Sequence, residues 1–165
     1  AMAGIAIACT MGIPAIDIVP TLKTFRGVEH RLEFVRELKG VRYYNDSKAT
    51  TVASVMIALN ALPAPVILIM GGKDKGSDYQ PLISLIKEKV KTLVLVGQAK
   101  DIIYDALGKS VFTVKCETME EAVAAASQNA VDGDVVVLSP ACSSYDMYRD
   151  FEERGRVFKE IIEDL

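Results

Sequence analysis

The stretch from Tyr43 to Val52, YYNDSKATTV, places an acid, hydroxyl residues and a lysine between an apolar strand and an apolar helix. Such a turn leaves Asp46 at the carboxyl end of the strand and brings Lys48 to the first free N–H groups of the helix, where an anion or a ribose would fit. Asn, Asp and Ser are also common N-cap residues, so helix capping alone could explain the stretch. Two later turns, GGKDKGSD (71–78) and SPACSSYD (139–146), favour a binding site because we expect them at the same place.

Outward from this stretch, strand-like and helix-like segments alternate along the chain. The segments LEFVREL (32–38) and VRYYN (41–45) have the alternating polarity of a β-hairpin. The run VILIM (66–70) is typical of a strand buried on both faces of a parallel sheet. The alternation predicts an α/β fold with a doubly wound, mostly parallel, Rossmann-like sheet that opens with the hairpin. The other expected elements are helices at 52–59, 79–90, 99–107 and 119–130, strands at 92–96, 111–114 and 134–139, and a terminal helix carrying Met147, Phe151, Phe158, Ile162 and Leu165.

The first residues predict a short helical appendage. The segment AMAGIAIACTMG is small and apolar on nearly every side, which suits a helix buried among others. A second helix is expected to begin near Asp17 as its N-cap, with Pro20 in the first turn. We place a break at residues 25–27, so that residues 1–24 look like the tail of something larger and residues 25–165 form the main domain.

Composition narrows the class of protein. The chain has 165 residues, of which half are hydrophobic and a quarter are charged. Its net charge of −3 argues against binding to nucleic acid, since there is no basic stripe to contact a phosphate backbone. Its first apolar run is too short to cross a membrane and has no basic leader, so we expect neither a membrane helix nor a signal peptide. Cys9, Cys116 and Cys142 are an odd count without metal-ligand spacing, which indicates reduced thiols in a cytoplasmic protein.

The polar turns of the predicted sheet should share one rim. In a doubly wound sheet, ligands bind outside the carboxyl ends of the strands. The turns NDSKATT, GGKDKGSD, GQAKD and SPACSSYD all follow strands at that end, whereas the turns at 62–65 and 131–133 are short and chemically plain. We therefore expect the functional site on the rim formed by the carboxyl ends of the strands.

Several side chains on this rim could bind a nucleotide edge and a small acid. Lys73 and Lys75 could hold carboxylates, although solubility would also explain them, and Ser143 or Ser144 is expected to cap the terminal helix. Cys142 and Ser144 lack a nearby histidine or a G-x-S-x-G pattern, so we reject both as nucleophiles. The chain has no G-x-x-x-x-G-K-[ST] loop and no G-x-G-x-x-G fingerprint, so it should not hold a triphosphate alone.

The segments HRLE, YYNDSKAT, GGKDKG and LSPACSSYDMYRDFEERGRVF, in this order between Phe25 and Phe158, resemble the C-terminal domain of the Mur ligases, and most closely the branch that adds D-glutamate. The resemblance implies an ATP-dependent, amide-forming ligase of peptidoglycan biosynthesis. In that reaction the carboxylate of UDP-N-acetylmuramoyl-L-alanine becomes an acyl phosphate, which the amine of D-glutamate attacks. By this resemblance, residues 1–24 would be the remnant of the family's central ATP-binding domain, and residues 25–165 the C-terminal domain that binds the amino acid and the nucleotide. The family's N-terminal domain and most of its central domain, with the phosphate loop and the magnesium ligands, would be missing. ATP and Mg²⁺ are implied for the full-length enzyme, which we expect to be a monomer, and neither should bind this piece tightly.

The resemblance also implies roles for individual residues. No catalytic residue is assigned, although Lys48 could contact the phosphate side, and no metal ligand is expected. The chain departs from the family at Thr51, where asparagine is common, and at Tyr145 and Tyr148. It lacks the D-N-P-R motif of the members that add a diamino acid. The implied nucleotide contacts are His30, Arg31, Asp46 and Lys48, and the implied D-glutamate contacts are Thr50, Lys75, Ser144, Tyr145 and Phe151.

Two alternatives stay open from the sequence. The chain could be the equivalent domain of a related ligase, either another Mur ligase or a folylpolyglutamate synthetase. It could also be a stand-alone binding module with the same fold. If the chain is the domain of a D-glutamate-adding ligase, it is expected to be inactive by itself.

Overall fold

A computed structural model describes residues 2–25 and 27–165, so Arg26 of the predicted domain break lies outside the described residues. Helices and strands alternate along the chain after an initial pair of helices. The helices are α1 (Met2–Thr10), α2 (Ala15–Thr24), α3 (Val52–Ala61), α4 (Ile83–Lys89), α5 (Lys100–Leu107), α6 (Met119–Asn129) and α7 (Phe151–Glu163). The strands are β1 (Glu33–Leu38), β2 (Val41–Asn45), β3 (Val66–Gly71), β4 (Val90–Val96), β5 (Phe112–Lys115) and β6 (Val135–Ala141).

The strands form one six-stranded sheet with the order β1-β2-β6-β3-β4-β5. Strands β1 and β2 pair antiparallel, and every other neighbouring pair is parallel. The hairpin turns at Lys39 and Gly40, whose φ angles of 51° and 75° match the turn type favoured between twisted antiparallel strands. The predicted fold is confirmed, and β6 lies between β2 and β3 because the chain returns to the middle of the sheet after α6.

The core consists of two apolar layers, one on each face of the sheet. Alternate side chains of β3 point to opposite faces, because Leu68 and Met70 belong to one cluster and Ile67 and Ile69 to the other. Helices α3, α4 and α5 cover the first face, and helices α6 and α7 cover the second. Both faces of the central strands are therefore buried, as the all-apolar sequence of these strands predicts.

Four predictions about the helices are wrong, and the ends of other elements shift by one or two residues. The helix expected at 79–90 begins as a single 3₁₀ turn and ends at Lys89, because Val90 already pairs with β3. Helix α2 begins at Ala15 after Pro14, so Asp17 lies in the first turn and Pro20 inside the helix. Helix α1 has no buried residue, since its contacts with α2 leave Ile5 and Ala8 only partly covered.

The fourth correction concerns the terminal helix. Its N-cap is Asp150, whose carboxylate accepts a hydrogen bond of 2.7 Å from the Glu153 N–H, and neither Ser143 nor Ser144 caps it. Turns separate the serines from the helix, and the Ser144 carbonyl accepts bonds from the N–H groups of Met147 and Tyr148. Acidic residues at positions 150, 152 and 153 favour a helix start there. Met147 consequently lies before α7, and Leu165 lies beyond its last residue, Glu163. Among the described residues, no helix is long and apolar enough to span a membrane.

Candidate active site

Three loops meet at the carboxyl ends of three neighbouring strands. The β2 loop (residues 46–51), the β3 loop (72–79) and the β6 loop (142–150) follow β2, β3 and β6, which are adjacent in the sheet. Gly71 and Gly72 allow the β3 loop to leave the sheet, with φ angles of 126° and 128°. A Cβ on Gly71 would lie 1.9 Å from the Val96 carbonyl oxygen, and one on Gly72 would lie 2.3 Å from that of Ser143. Only glycine fits this close approach of the loops.

Asp46 lies almost buried at the start of the β2 loop. Its Oδ2 accepts a 2.8 Å bond from the Ser139 hydroxyl, and its Oδ1 accepts a 3.1 Å bond from the Leu32 N–H. Burial raises the pKa of the Asp46 carboxyl above its ordinary value, and the bonds from Ser139 and Leu32 oppose this rise. Asp46 does not cap α3, since Thr51 is the N-cap of that helix and accepts from the Ser54 N–H. Its carboxylate is fixed in direction and retains lone pairs for a ligand.

A first cavity of about 160 Å³ opens beside this carboxylate. Arg31, Asp46 and Lys48 bring one negative and two positive charges to it, and the exposed Ile57 side chain adds an apolar wall. The cavity is lined by Arg31, Leu32, Asp46, Lys48, Ala49, Ser54, Ile57 and Ala58. Three of the four predicted nucleotide contacts therefore lie together.

His30 is the fourth predicted nucleotide contact. It is buried below the three loops and does not line this cavity or the second cavity on the same rim. Its side chain is buried, and its Nδ1 is 2.9 Å from Nδ2 of Asn45. The Asn45 Oδ1 accepts from the Ser47 N–H, so Nδ2 is the donor and the His30 Nδ1 must be the acceptor. Burial lowers the pKa of His30, in keeping with a neutral ring. The His30 carbonyl also accepts from the Lys48 N–H, so this residue supports the β2 loop from below.

A second cavity of about 220 Å³ lies on the same rim. Residues from all three loops and from the start of α7 line it. The Lys48 ammonium lies 3.9 Å from the centre of the Phe151 ring, and Lys48 also lines the first cavity. The lining residues are Lys48, Thr50, Lys75, Ser143, Ser144, Tyr145 and Phe151. All five residues expected to contact D-glutamate are therefore brought together.

Arg154 ties the β2 loop to the β6 loop, a role that the sequence reasoning missed. It is 2% exposed, and its guanidinium donates to the Ser47 hydroxyl, the Ser47 carbonyl and the Cys142 carbonyl. Burial lowers the pKa of Arg154 to about 10. The spacing of residues could have indicated that Arg154 is buried. Arg154 lies three residues after Phe151 and four before Phe158, on the inward face of α7. An arginine at such a position needs buried acceptors.

The Ser139 hydroxyl was also missed as a partner of Asp46. No local pattern in the sequence indicated this bond, because it depends on the parallel pairing of β2 and β6, which places the ends of these two strands side by side. A second tie joins the β3 and β6 loops, since the Lys73 N–H donates to the Ser143 carbonyl and the Ser143 hydroxyl donates to the Lys73 carbonyl. The loops therefore form one connected unit.

The chain offers few ligands for a metal ion at these cavities. Among the residues that the structure describes, Asp46 is the single carboxylate that lines them, which is fewer oxygen ligands than a Mg²⁺ ion takes. In the described residues, one cluster of potential ligands occurs elsewhere, at Glu29, His30 and Glu33. Lys159 already places its ammonium 2.7 Å and 3.0 Å from the two carboxylates of that cluster.

The fold and the site together define a class of protein, a doubly wound α/β domain with a carboxylate and two lysines on the binding rim. The family follows from comparison with known proteins. Residues 30–142 match the family described as Mur ligase, glutamate ligase domain, and the chain belongs to this family.

Relatives align with nearly the whole chain. It is 47% identical to the UDP-N-acetylmuramoylalanine–D-glutamate ligase of a Thermoanaerobacter species, over 100% of this chain and 37% of that protein. It is 46% identical to the protein of the same name from Geotalea uraniireducens, over 99% of this chain and 36% of that protein. The chain thus spans about a third of the length of these relatives.

A solved structure supports the fold. The bifunctional folylpolyglutamate synthase/dihydrofolate synthase of Yersinia pestis superposes with a TM-score of 0.60 at 17% identity, covering 82% of this chain and 32% of that one. At this identity the likeness concerns the fold alone.

Proposed function

We propose that this chain is the C-terminal domain of an ATP-dependent ligase that joins D-glutamate to UDP-N-acetylmuramoyl-L-alanine. The observation that carries the proposal is the position of Lys48, the residue that lines both cavities. A cation between a nucleotide site and an acceptor site is where a transferring phosphoryl group needs its charge neutralised. The names of the relatives that align with the full chain support the choice of substrates.

The first cavity suits the ribose and phosphate edge of ATP. A carboxylate held by Ser139 and Leu32 can accept hydrogen bonds from two sugar hydroxyls, and Asp46 has lone pairs left for this purpose. Arg31 and Lys48 supply positive charge for phosphate oxygens. His30 would act by supporting the β2 loop, since its ring is bonded to Asn45.

The second cavity suits an amino acid with two carboxylates. Lys75 and Lys48 provide two cations, and Thr50 and Ser144 provide hydroxyl donors. Charge-assisted bonds of this kind are stronger than neutral ones, so a dicarboxylate is favoured over a monocarboxylate. Phe151 and Tyr145 would close the cavity with apolar surface.

In the proposed reaction, the carboxylate of UDP-N-acetylmuramoyl-L-alanine attacks the terminal phosphorus of ATP and forms an acyl phosphate and ADP. The amine of D-glutamate then attacks the acyl carbon, and inorganic phosphate leaves as the amide forms. This chain would hold the amino acid through Lys75 and Ser144, orient the nucleotide through Asp46, and neutralise the transferring phosphoryl group through Lys48. Bound Mg²⁺ would further neutralise phosphate oxygens, with ligands that this chain does not supply.

We also propose that residues 1–24 belong to a preceding domain of a longer protein. Two observations support this division. Neither α1 nor α2 contains a buried residue, and the family match begins only at residue 30, although the relatives align with the whole chain.

The 165-residue chain alone should release no phosphate from ATP with both substrates present.

The decisive experiment is a pair of lysine variants in the full-length protein. Lys75→Ala removes a cation from the second cavity, so the KM for D-glutamate should rise by about tenfold or more, with the KM for ATP nearly unchanged. Lys73→Ala is the matched control because Lys73 is exposed in the same loop and does not line either cavity. Equal effects of the two variants on D-glutamate would refute the proposal.

A further inference from the structure

We propose that Tyr79 is a positioning residue that holds the β3 loop, and with it Lys75, over the second cavity. This inference rests on the proposed function, which gives D-glutamate as the substrate. It adds a residue that helps to position the side chain that binds this substrate. Tyr79 itself lines neither cavity and therefore acts through the loop.

The contacts of Asp74 set the shape of the loop. Its Oδ2 accepts a 2.9 Å bond from the Gly76 N–H, and its Oδ1 accepts a 3.2 Å bond from the Ser77 N–H. The Tyr79 hydroxyl donates to the same Oδ1 at 2.8 Å. The carboxylate thus closes a tight turn around Lys75, and Tyr79 fixes the carboxylate from the buried side.

Tyr79 is well suited to anchor this turn. It is 2% exposed, and its ring packs in the core cluster shared by α3, α4 and α5. The anchor is therefore rigid, whereas Lys73, Lys75 and Gly76 of the same loop are exposed. An exposed loop that carries a binding cation loses less conformational entropy on binding when it is held in place beforehand.

The direction of the hydrogen bonds is determined by the groups involved. An ionised Asp74 can only accept, so the Tyr79 proton lies towards Asp74. The Cys142 Sγ lies 3.1 Å from the Tyr79 oxygen, and the thiol is therefore the donor to Tyr79. The chain of donors runs from the Cys142 thiol through the Tyr79 hydroxyl to the Asp74 carboxylate. It connects the β6 loop, which contributes Ser144, to the β3 loop, which contributes Lys75.

The pKa shifts are consistent with the hydrogen bond that Tyr79 donates to Asp74. The bonds from Tyr79, Gly76 and Ser77 hold the pKa of Asp74 below its ordinary value against the opposing effect of burial. Burial raises the pKa of Tyr79, and the bond that its hydroxyl donates to Asp74 adds to the rise. Burial also raises the pKa of the Cys142 thiol, which therefore stays protonated and able to donate.

The test is Tyr79→Phe in the full-length protein, since phenylalanine keeps the ring and removes only the hydroxyl. We expect the KM for D-glutamate to rise about fivefold, the value that corresponds to one lost hydrogen bond, with kcat and the KM for ATP changing less than about twofold. Hydrogen–deuterium exchange of the peptide that covers residues 72–79 should become about fivefold faster. A residue with a merely structural role would not separate the two KM values.

Tyr43→Phe is the matched control. Tyr43 is also 2% exposed, and its hydroxyl bonds to the Ser127 hydroxyl at 3.1 Å, in the other core layer and away from both cavities. This variant should leave both KM values and the exchange of residues 72–79 unchanged.

Each result decides the inference. Unchanged exchange in the Tyr79→Phe variant, or faster exchange with an unchanged KM for D-glutamate, would overturn it. A wild-type protein without ligase turnover would instead refute the proposed function, and the exchange measurement would still decide whether Tyr79 orders the loop.

Discussion

The Lys48 ammonium lies over the Phe151 ring at 3.9 Å from its centre, and the same ring meets the His30 imidazole edge-on at 5.9 Å. Phe151 is the first residue of α7, so the start of that helix supports the lysine that both cavities share. An aromatic face fixes a cation without neutralising it. Lys48 is therefore held in place with its charge available to a phosphate or a carboxylate.

Replacing Phe151 should weaken binding at the second cavity. A cation–π contact at an exposed site contributes about 0.5–1 kcal/mol. Phe151→Leu in the full-length protein should therefore raise the KM for D-glutamate about two- to fivefold, as measured by steady-state kinetics. Phe34→Leu is the control, because Phe34 is a half-exposed aromatic residue that packs on Tyr44 and lines neither cavity. Equal KM values for both variants would contradict the role of the ring.

Replacing Asp46 should affect both nucleotide binding and stability. The asparagine oxygen can still accept from the Leu32 N–H, but the amide nitrogen can only donate to Ser139, so both bonds lose the strength that the carboxylate charge gives them. Asp46→Asn should lower the free energy of unfolding by about 1–3 kcal/mol in urea denaturation and raise the KM for ATP about tenfold. Asp105→Asn changes an exposed carboxylate on α5 and should do neither. An unaltered KM for ATP would rule out a ribose contact by Asp46.

His30 should make stability depend on pH between neutrality and pH 5. Burial lowers its pKa in the folded chain below the ordinary value of 6.5. The unfolded chain therefore takes up a proton more readily, so stability falls as the pH drops through 6.5 and has no such loss above it. The bond from Lys159 lowers the pKa of the Glu29 carboxyl below its ordinary value of 4.5. Titration of Glu29 therefore affects stability only below about pH 4.5.

His30→Gln tests this dependence, since glutamine can still accept from Asn45 but does not titrate. Urea denaturation of the two proteins at pH 8, 7, 6 and 5 should give a smaller loss of stability for the variant below pH 6.5. Parallel curves for the two proteins would show that the imidazole is not held neutral.

Removing the Arg154 guanidinium should destabilise the site loops. Arg154→Met keeps much of the side-chain volume but leaves the carbonyls of Ser47 and Cys142 buried without donors. The free energy of unfolding should fall by about 2–4 kcal/mol. Arg156→Met, two residues later on the exposed side of α7, should change it by less than about 0.5 kcal/mol. Similar losses from both variants would contradict a specific role for Arg154.

The sequence by itself determined the order of the elements and the rim on which the site lies. Strand and helix periodicities are local, and the rule that ligands bind at the carboxyl ends of parallel strands needs no knowledge of side-chain contacts. For this reason Asp46, Lys75 and Ser144 could be assigned to one rim before their positions were known. The helix boundaries were less certain, as the cap at Asp150 shows, because several short polar residues competed for that position.

Only the tertiary structure decided which groups hold the site together. The bond between Asp46 and Ser139 joins residues 93 positions apart, and Arg154 reaches Ser47 across 107 positions. The position of His30 beneath the loops likewise depends on Asn45 and on the packing of Phe151. Such contacts follow from how the two layers of helices pack against the sheet, and this packing depends on side-chain shapes throughout the core.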